Sequence, residues 1–307
     1  MTEIPGSPPD PEQGGFRCGY VALVGKPNTG KSTLMNALVG EKLSITAHRP
    51  QTTRHQILGI RTTPAYQCIF VDTPGIHQDQ KKAINRYMNR AATSLFDDVD
   101  LVCVLVEVKG FNDEDRRILK SLEGRSNVIV VLNKIDQLPK QALLPRMQDI
   151  SALLPQSDIV PVSALKRENL ERLMELVQAR LPSGVPHYPD DQLTDKPMRF
   201  IVAEIIREKL FRRLTRELPY ALTVNIDHYK QEKDLLRLSA TIWVERKSQK
   251  GIVIGNKGGM LKTIGSEARA DIERLAGCKV FLQLWVKVRE DWSDDERSLS
   301  AFGYSTE

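Results

Sequence analysis

Gly25-Lys26-Pro27-Asn28-Thr29-Gly30-Lys31-Ser32 has the spacing GxxxxGK[ST]. Glycines in such a loop let successive backbone N–H groups turn inward around a phosphate, and the helix that follows adds positive partial charge. Lys31 is expected to reach the β- and γ-phosphates. Ser32, with Thr33 beside it, is expected to meet Mg²⁺ through its hydroxyl. The pattern arises by chance in roughly one such chain in a hundred, so a plain Gly-rich turn is a weak competitor. Asp72-Thr73-Pro74-Gly75 reads DxxG: an aspartate to hold Mg²⁺ through water and a glycine N–H for the γ-phosphate. Asn133-Lys134-Ile135-Asp136 selects the base. A carboxylate at Asp136 can accept from N1–H and the 2-amino group of guanine, whereas adenine would leave it unpaired. Asn133 and Lys134 are expected to brace the base and the phosphate loop. Ser163-Ala164 offers a backbone N–H to guanine O6.

These segments need strand ends to sit on, and the chain supplies them. Apolar runs at Tyr20–Val24, Gln56–Arg61, Tyr66–Val71, Asp100–Val106, Asn127–Leu132 and Ile159–Val162 alternate with amphipathic stretches. That order predicts an α/β fold with a mostly parallel six-stranded sheet, the Gln56–Val71 hairpin giving one antiparallel edge. The motifs then fall at C-terminal strand ends, where open α/β sheets bind ligands.

A cluster of prolines, Ser183, Gly184 and acids at 182–197 reads as a linker. Beyond it the chain predicts helix Met198–Leu214, strands Tyr220–Tyr229 and Leu236–Glu245, a Gly-rich turn, a helix near Met260–Ala276 and strand Lys279–Val288. Residues 196–289 carry 20 Lys and Arg against 10 Asp and Glu, a basic footprint suited to nucleic acid or an anionic membrane. The last 18 residues are acidic. The first 15, rich in Pro and Gly, read as a flexible tail and not a signal peptide. No apolar stretch has the length of a bilayer span. Cys18, Cys68, Cys103 and Cys278 form no CxxC and are expected as buried reduced thiols.

Within the basic half, Gly255-Asn256-Lys257-Gly258 reads GxxG, with Lys262 and Arg269 on the helix that follows. In KH domains such a turn clamps a nucleic-acid backbone, and the predicted element order resembles the type II arrangement. Trp243 and Trp285 are expected in the core.

The four nucleotide motifs resemble those of the translation-factor-related GTPases. With RPQTTRH, DTPGIH, VIGNKGGMLKTIG and Gln283-Leu284-Trp285-Val286-Lys287-Val288, the chain resembles the bacterial Era GTPases over residues 15–305. One departure is Gln283, where a relative carries Glu. The resemblance implies a flexible tail 1–15, a G domain 16–181, a linker 182–197, a type II KH domain 198–290 and an acidic tail 291–307. It makes 44–55 the first switch, with Thr53 favoured over Thr52 as Mg²⁺ ligand. Lys31, Thr53 and Gly75 are the catalytic candidates. Ile76 stands where Ras-like enzymes place a water-orienting glutamine, which implies slow unassisted hydrolysis. Asn28 matches a residue that holds K⁺ in related GTPases; that role and a purely loop-shaping one both stay open. The resemblance further implies GTP/GDP and Mg²⁺ as ligands and binding to the 3′ end of small-subunit (16S) ribosomal RNA. A part in 30S assembly under GTP control, a monomeric cytoplasmic protein and peripheral contact with the inner membrane are implied too. Three rivals are kept: a tRNA-modification GTPase, an RNA-binding scaffold with structural GTP, and a membrane regulator.

Overall fold

Long buried apolar strands set the first half of the molecule. The computed structural model describes residues 15–46, 52–75, 83–93 and 98–304. Strands β1 (Arg17–Val24), β2 (Ile57–Thr62), β3 (Tyr66–Asp72), β4 (Leu101–Glu107), β5 (Val128–Asn133) and β6 (Asp158–Val162) form one sheet in the order β2-β3-β1-β4-β5-β6. Every pairing is parallel except β2 with β3. All seven residues of β3 and all six of β5 are buried, as expected of strands covered on both faces. Helices α1 (Lys31–Val39), α3 (Asp113–Lys120), α4 (Leu143–Leu153) and α5 (Leu170–Arg180) accompany these strands. Asn112 and Asp115 close a capping box on α3. The helix expected at 140–153 starts later than its sequence suggests: Lys140–Ala142 is a 3₁₀ turn.

The second sheet, β7 (Leu222–Glu232), β8 (Leu235–Val244) and β9 (Lys279–Val288), runs β7-β8-β9, with β8 and β9 parallel. Helices α6 (Met198–Arg213), α7 (Lys247–Ile254) and α8 (Gly259–Ala276) cover one of its faces. On α8 the core stripe is Ile264, Ala268 and Ile272, one residue every turn. Helix α7, two turns long, stands ahead of the Gly-rich turn, so the turn lies between a pair of helices, as the type II order implies. Residues 291–307, expected as an acidic tail, contain helix α9 (Glu296–Ala301). They also bury Trp292, Leu299 and Tyr304 beside Ala83, Ile84, Tyr87 and Met88 of α2 (Ala83–Thr93).

The chain divides into two units, and not collinearly. The first takes in the described residues within 1–43, 56–76 and 92–195; the second takes those within 44–55, 77–91 and 196–307. Much of the stretch read as a linker is fastened to the first unit. Cys18 N–H donates to the Pro182 carbonyl (3.1 Å), Ile60 N–H to that of Leu193 (2.8 Å), and Leu58 N–H to Asp195 Oδ1 (3.0 Å). Of the tail expected at 1–15, only Gly15 lies within the described residues.

Candidate functional site

The loop Gly25–Ser32 leaves the end of β1 and enters α1 through Gly30. Gly30 sits at φ 101°, and a Cβ there would collide with Asn133 Nδ2, so two independent constraints demand glycine. Asn28 is also left-handed (φ 66°) and exposed. Lys31 folds over the loop and donates to the carbonyls of Gly25 (2.9 Å) and Lys26 (2.8 Å). Burial pulls its pKa down to about 8, against the raising effect of Asp72. An anionic phosphate in the loop would push it back up. Ser32 Oγ donates to Asp72 Oδ2 at 2.7 Å. A hydroxyl and a carboxylate thus meet at the ends of α1 and β3, a hard-oxygen pair of the type Mg²⁺ takes together with phosphate oxygens. Thr73 Oγ1 is held by the Leu23 carbonyl (2.9 Å), and Thr29 Oγ1 by that of Lys26 (3.0 Å). Gly75 packs directly on Pro27: a Cβ there would lie 2.8 Å from the Pro27 backbone. Pro74 is buried, and Thr33 is half-buried on α1.

Lys26 belongs to the loop by its backbone only. Its ammonium turns to the start of α3, meeting Asp115 (2.5 Å), the Gly110 carbonyl (2.8 Å) and Asn112 Oδ1 (3.1 Å). The motif spacing carries no sign of this, since Asp115 is remote in sequence.

The base-side residues come together at the ends of β5 and β6. Asn133 Nδ2 donates to the Thr29 carbonyl (2.8 Å), while its Oδ1 accepts from the N–H groups of Lys134 (2.8 Å) and Ala164 (3.1 Å). Lys134, left-handed at φ 65°, extends its ammonium to Glu107 (3.0 Å). Ile135 is buried and Asp136 exposed. Ser163 Oγ donates to Asp136 Oδ1 at 2.5 Å, fixing one edge of that carboxylate. Thus 25–33, 72–75, 133–136 and 163–164 converge within one unit. Ile76 lies outside the described residues.

Thr53 belongs to the other unit, in a segment held there by its neighbours. The Arg54 guanidinium is buried and donates to the carbonyls of Leu222 (2.7 Å), Tyr220 (2.9 Å) and Pro219 (3.2 Å), between the rings of Phe211 and Trp292. Arg207, paired with Glu204 (2.5 Å), donates to the Thr52 carbonyl. His55 stacks on Tyr304 (4.4 Å), and burial drives its pKa down to about 4. The sequence treats this stretch as an aperiodic loop and gives no signal of that anchoring.

In the same unit Gly255 ends α7 and Asn256–Gly258 forms a single 3₁₀ turn leading into α8. Gly255 (φ 73°) passes so close to Met260 that a Cβ would lie 2.6 Å from the Met260 Cβ, whereas Gly258 (φ 78°) faces open space. Asn256, Lys257, Lys262 and Arg269 are exposed. Trp285, expected in the core, is 57% exposed, because odd-numbered residues of β9 point away from the helices.

The same two regions match family models: residues 20–134 that of a 50S ribosome-binding GTPase, and residues 217–293 that of a KH domain. The chain is 49% identical over 290 residues to the GTPase Era of Ectopseudomonas mendocina, covering 94% of this chain and 97% of the relative. It is 49% identical over 307 residues to that of Marinobacter nauticus, covering 99% of each. A crystal structure of Era with MgGDPNP and nucleotides 1506–1542 of 16S ribosomal RNA superposes with a TM-score of 0.91. There the identity is 38%, covering 95% of this chain and 100% of that one. A single-residue variant of Aquifex aeolicus Era bound to GDP·AlF4⁻ superposes equally well, with a TM-score of 0.91, 38% identity and the same coverage.

Proposed function

The chain belongs to the Era family of GTPases, and from that footing we propose that it binds the 3′ end of 16S ribosomal RNA and times 30S subunit assembly by hydrolysing GTP. One observation carries the RNA reading: the relative superposed over nearly the whole chain was solved with MgGDPNP and 16S nucleotides 1506–1542.

The nucleotide chemistry follows from the residues described. GTP lies with its phosphates against the backbone N–H groups of 25–33, and Lys31 releases the Gly25 and Lys26 carbonyls to meet the β- and γ-phosphates. Ser32 and Asp72 hold Mg²⁺, Asp72 through water; when bound, the ion neutralises charge building on the phosphate oxygens. Gly75 presents its N–H to the γ-phosphate. Asp136 reads guanine N1–H and the 2-amino group with the carboxylate that Ser163 orients, and Ala164 N–H serves O6. With Ile76 in place of a glutamine, unassisted turnover is slow. Asn28 would hold a potassium ion, which would supply the missing positive charge. Thr53 completes the metal site in the GTP state.

The control of RNA binding runs through the segment 44–55. It carries Thr53 next to Arg54, whose anchors are the carbonyls of 219, 220 and 222 in the unit that holds the GxxG turn. A segment that serves both nucleotide and anchors ties the two activities together. The protein works as a cytoplasmic monomer with peripheral access to the inner membrane; among the described residues no helix is long and apolar enough to cross a bilayer.

The deciding experiment is GTP hydrolysis with and without RNA carrying the 16S 3′ end, on the wild type and on Gly255→Asp/Gly258→Asp. Stimulation that disappears in the double variant is the expected result. RNA binding without any change in turnover would separate the two activities and overturn the coupling. No hydrolysis under any condition, RNA or KCl included, would leave the structural-GTP scaffold.

A further inference from the structure

The three-stranded sheet has a second face, and it is not covered in the same way. On β9 the residues Val280, Leu282, Leu284 and Val286 enter the core under the helices. Phe281 and Trp285 point the other way, 46% and 57% exposed, with Lys279, Gln283 and Lys287 exposed beside them. In register on β8, Arg237 lies opposite Phe281 and Thr241 opposite Trp285. The Arg237 guanidinium sits 5.5 Å from the centre of the Phe281 ring.

Single exposed apolar side chains are ordinary on protein surfaces. Two large rings on one strand face, roughly 13 Å apart by four rises of about 3.3 Å, are a different feature, because cations flank them at both ends. Two of the acids nearby are engaged. Glu232 pairs with Lys230 (2.8 Å) and Arg237 (2.7 Å), and Asp227 accepts from the Thr241 hydroxyl (2.6 Å). The far end of the face is closed, since Trp243 lies 5.8 Å from the Phe302 ring and has Lys287 Nζ over its own ring at 5.6 Å. What stays open is a strip from Lys279 to Lys287 in which two rings, with Gln283 between them, are flanked by a lysine at each end.

We propose that this strip is a second single-stranded RNA surface, on the face of the sheet opposite the GxxG turn. Unpaired bases stack on Trp285 and Phe281, and Lys279 and Lys287 meet the phosphates on either side of them. Aromatic rings on a sheet face with flanking cations suit splayed bases of any sequence, since every base has a stacking face. A second copy of the chain is a poorer occupant: a twofold contact here would bring Lys279, Arg237 and Lys287 against their own counterparts. A bilayer is poorer too, because the strip presents no aliphatic side chains around the rings. The inference rests on the RNA-binding reading above and extends it to residues that the GxxG turn does not need.

The test is fluorescence anisotropy with a labelled single-stranded 16S 3′-end RNA, on the wild type, Trp285→Ala/Phe281→Ala, Trp285→Phe and Gly258→Asp. All are checked by thermal unfolding and sedimentation. Two lost stacking partners predict a weakening of at least about thirtyfold for the double alanine variant. Trp285→Phe keeps most of the affinity, and adding the double alanine to Gly258→Asp weakens binding further. Affinity of the double alanine variant within about twofold of wild type overturns the proposal, whatever Gly258→Asp does. If Gly258→Asp is silent while the double alanine loses RNA, the GxxG reading fails and this surface stands. Loss of self-association with RNA affinity unchanged would make the strip an interface between copies and also overturn the proposal.

Discussion

Asn133 and Thr29 join the two halves of the nucleotide site: Asn133 Nδ2 at the end of β5 donates to the Thr29 carbonyl at 2.8 Å, while its Oδ1 accepts from Ala164 N–H at 3.1 Å. One amide thus fixes the phosphate loop, the base-reading strand and the β6 loop against each other. Removing it leaves buried backbone groups without their partner. Asn133→Ala is expected to weaken GTP and GDP binding about tenfold to a hundredfold, read by calorimetric titration. Unchanged affinity would mean that the loop holds its shape without this tie.

Asp136 is held on one oxygen by Ser163, which leaves its other edge for the base. Asp136→Asn replaces an acceptor with a donor facing guanine N1–H and the 2-amino group. GTP affinity should fall at least about a hundredfold, in line with the discrimination of a site built to hydrogen-bond its substrate. Ser163→Ala should cost much less, since it removes only the orienting bond. Equal losses for the two would show that orientation and recognition cannot be separated here.

Arg54 is almost wholly buried and satisfies three backbone carbonyls. Arg54→Ala would leave those acceptors bare and empty the space between Phe211 and Trp292. A loss of about 3–5 kcal/mol is expected in urea unfolding of the second unit. Arg54→Lys should recover little of it, because an ammonium cannot span the fork. A loss under about 1 kcal/mol would show that water replaces the guanidinium at little cost.

His55 is expected to make the stability fall in acid. Its pKa falls from an ordinary 6.5 to about 4 on folding, because it is buried against Tyr304. Protonation therefore favours the unfolded chain. The contribution is fully present above about pH 6.5 and is lost as pH falls toward 4, up to about 3 kcal/mol in all. Urea midpoints at pH 5 and pH 7 should differ less for His55→Phe than for wild type. An identical pH slope in the variant would assign the acid sensitivity to other groups.

GTP turnover in KCl and in NaCl tests the role proposed for Asn28. Faster turnover in KCl, lost in Asn28→Ala with nucleotide binding kept, is the expected pattern. Equal rates in the two salts would leave Asn28 with its left-handed turn at φ 66° and nothing more.

The amino-acid sequence determined the sheet, the strand ends and the residues that gather there. Those features are local: a continuous apolar run buries as a central strand, and a Gly-rich turn before a helix leaves its N–H groups free. The GxxG turn was legible for the same reason. Tertiary structure alone decided the partners remote in sequence. Lys26 leaves the phosphates for Asp115, Arg54 ties an aperiodic loop to carbonyls 165–168 residues away, and Trp292 draws the acidic C-terminal segment into a core. It also decided which face of β9 is open, exposing Trp285 where its residue type suggested burial. Periodicity of two separates the faces of a strand but does not say which one the helices cover. That choice is made by packing between distant segments, whose energies depend on contacts no local pattern encodes.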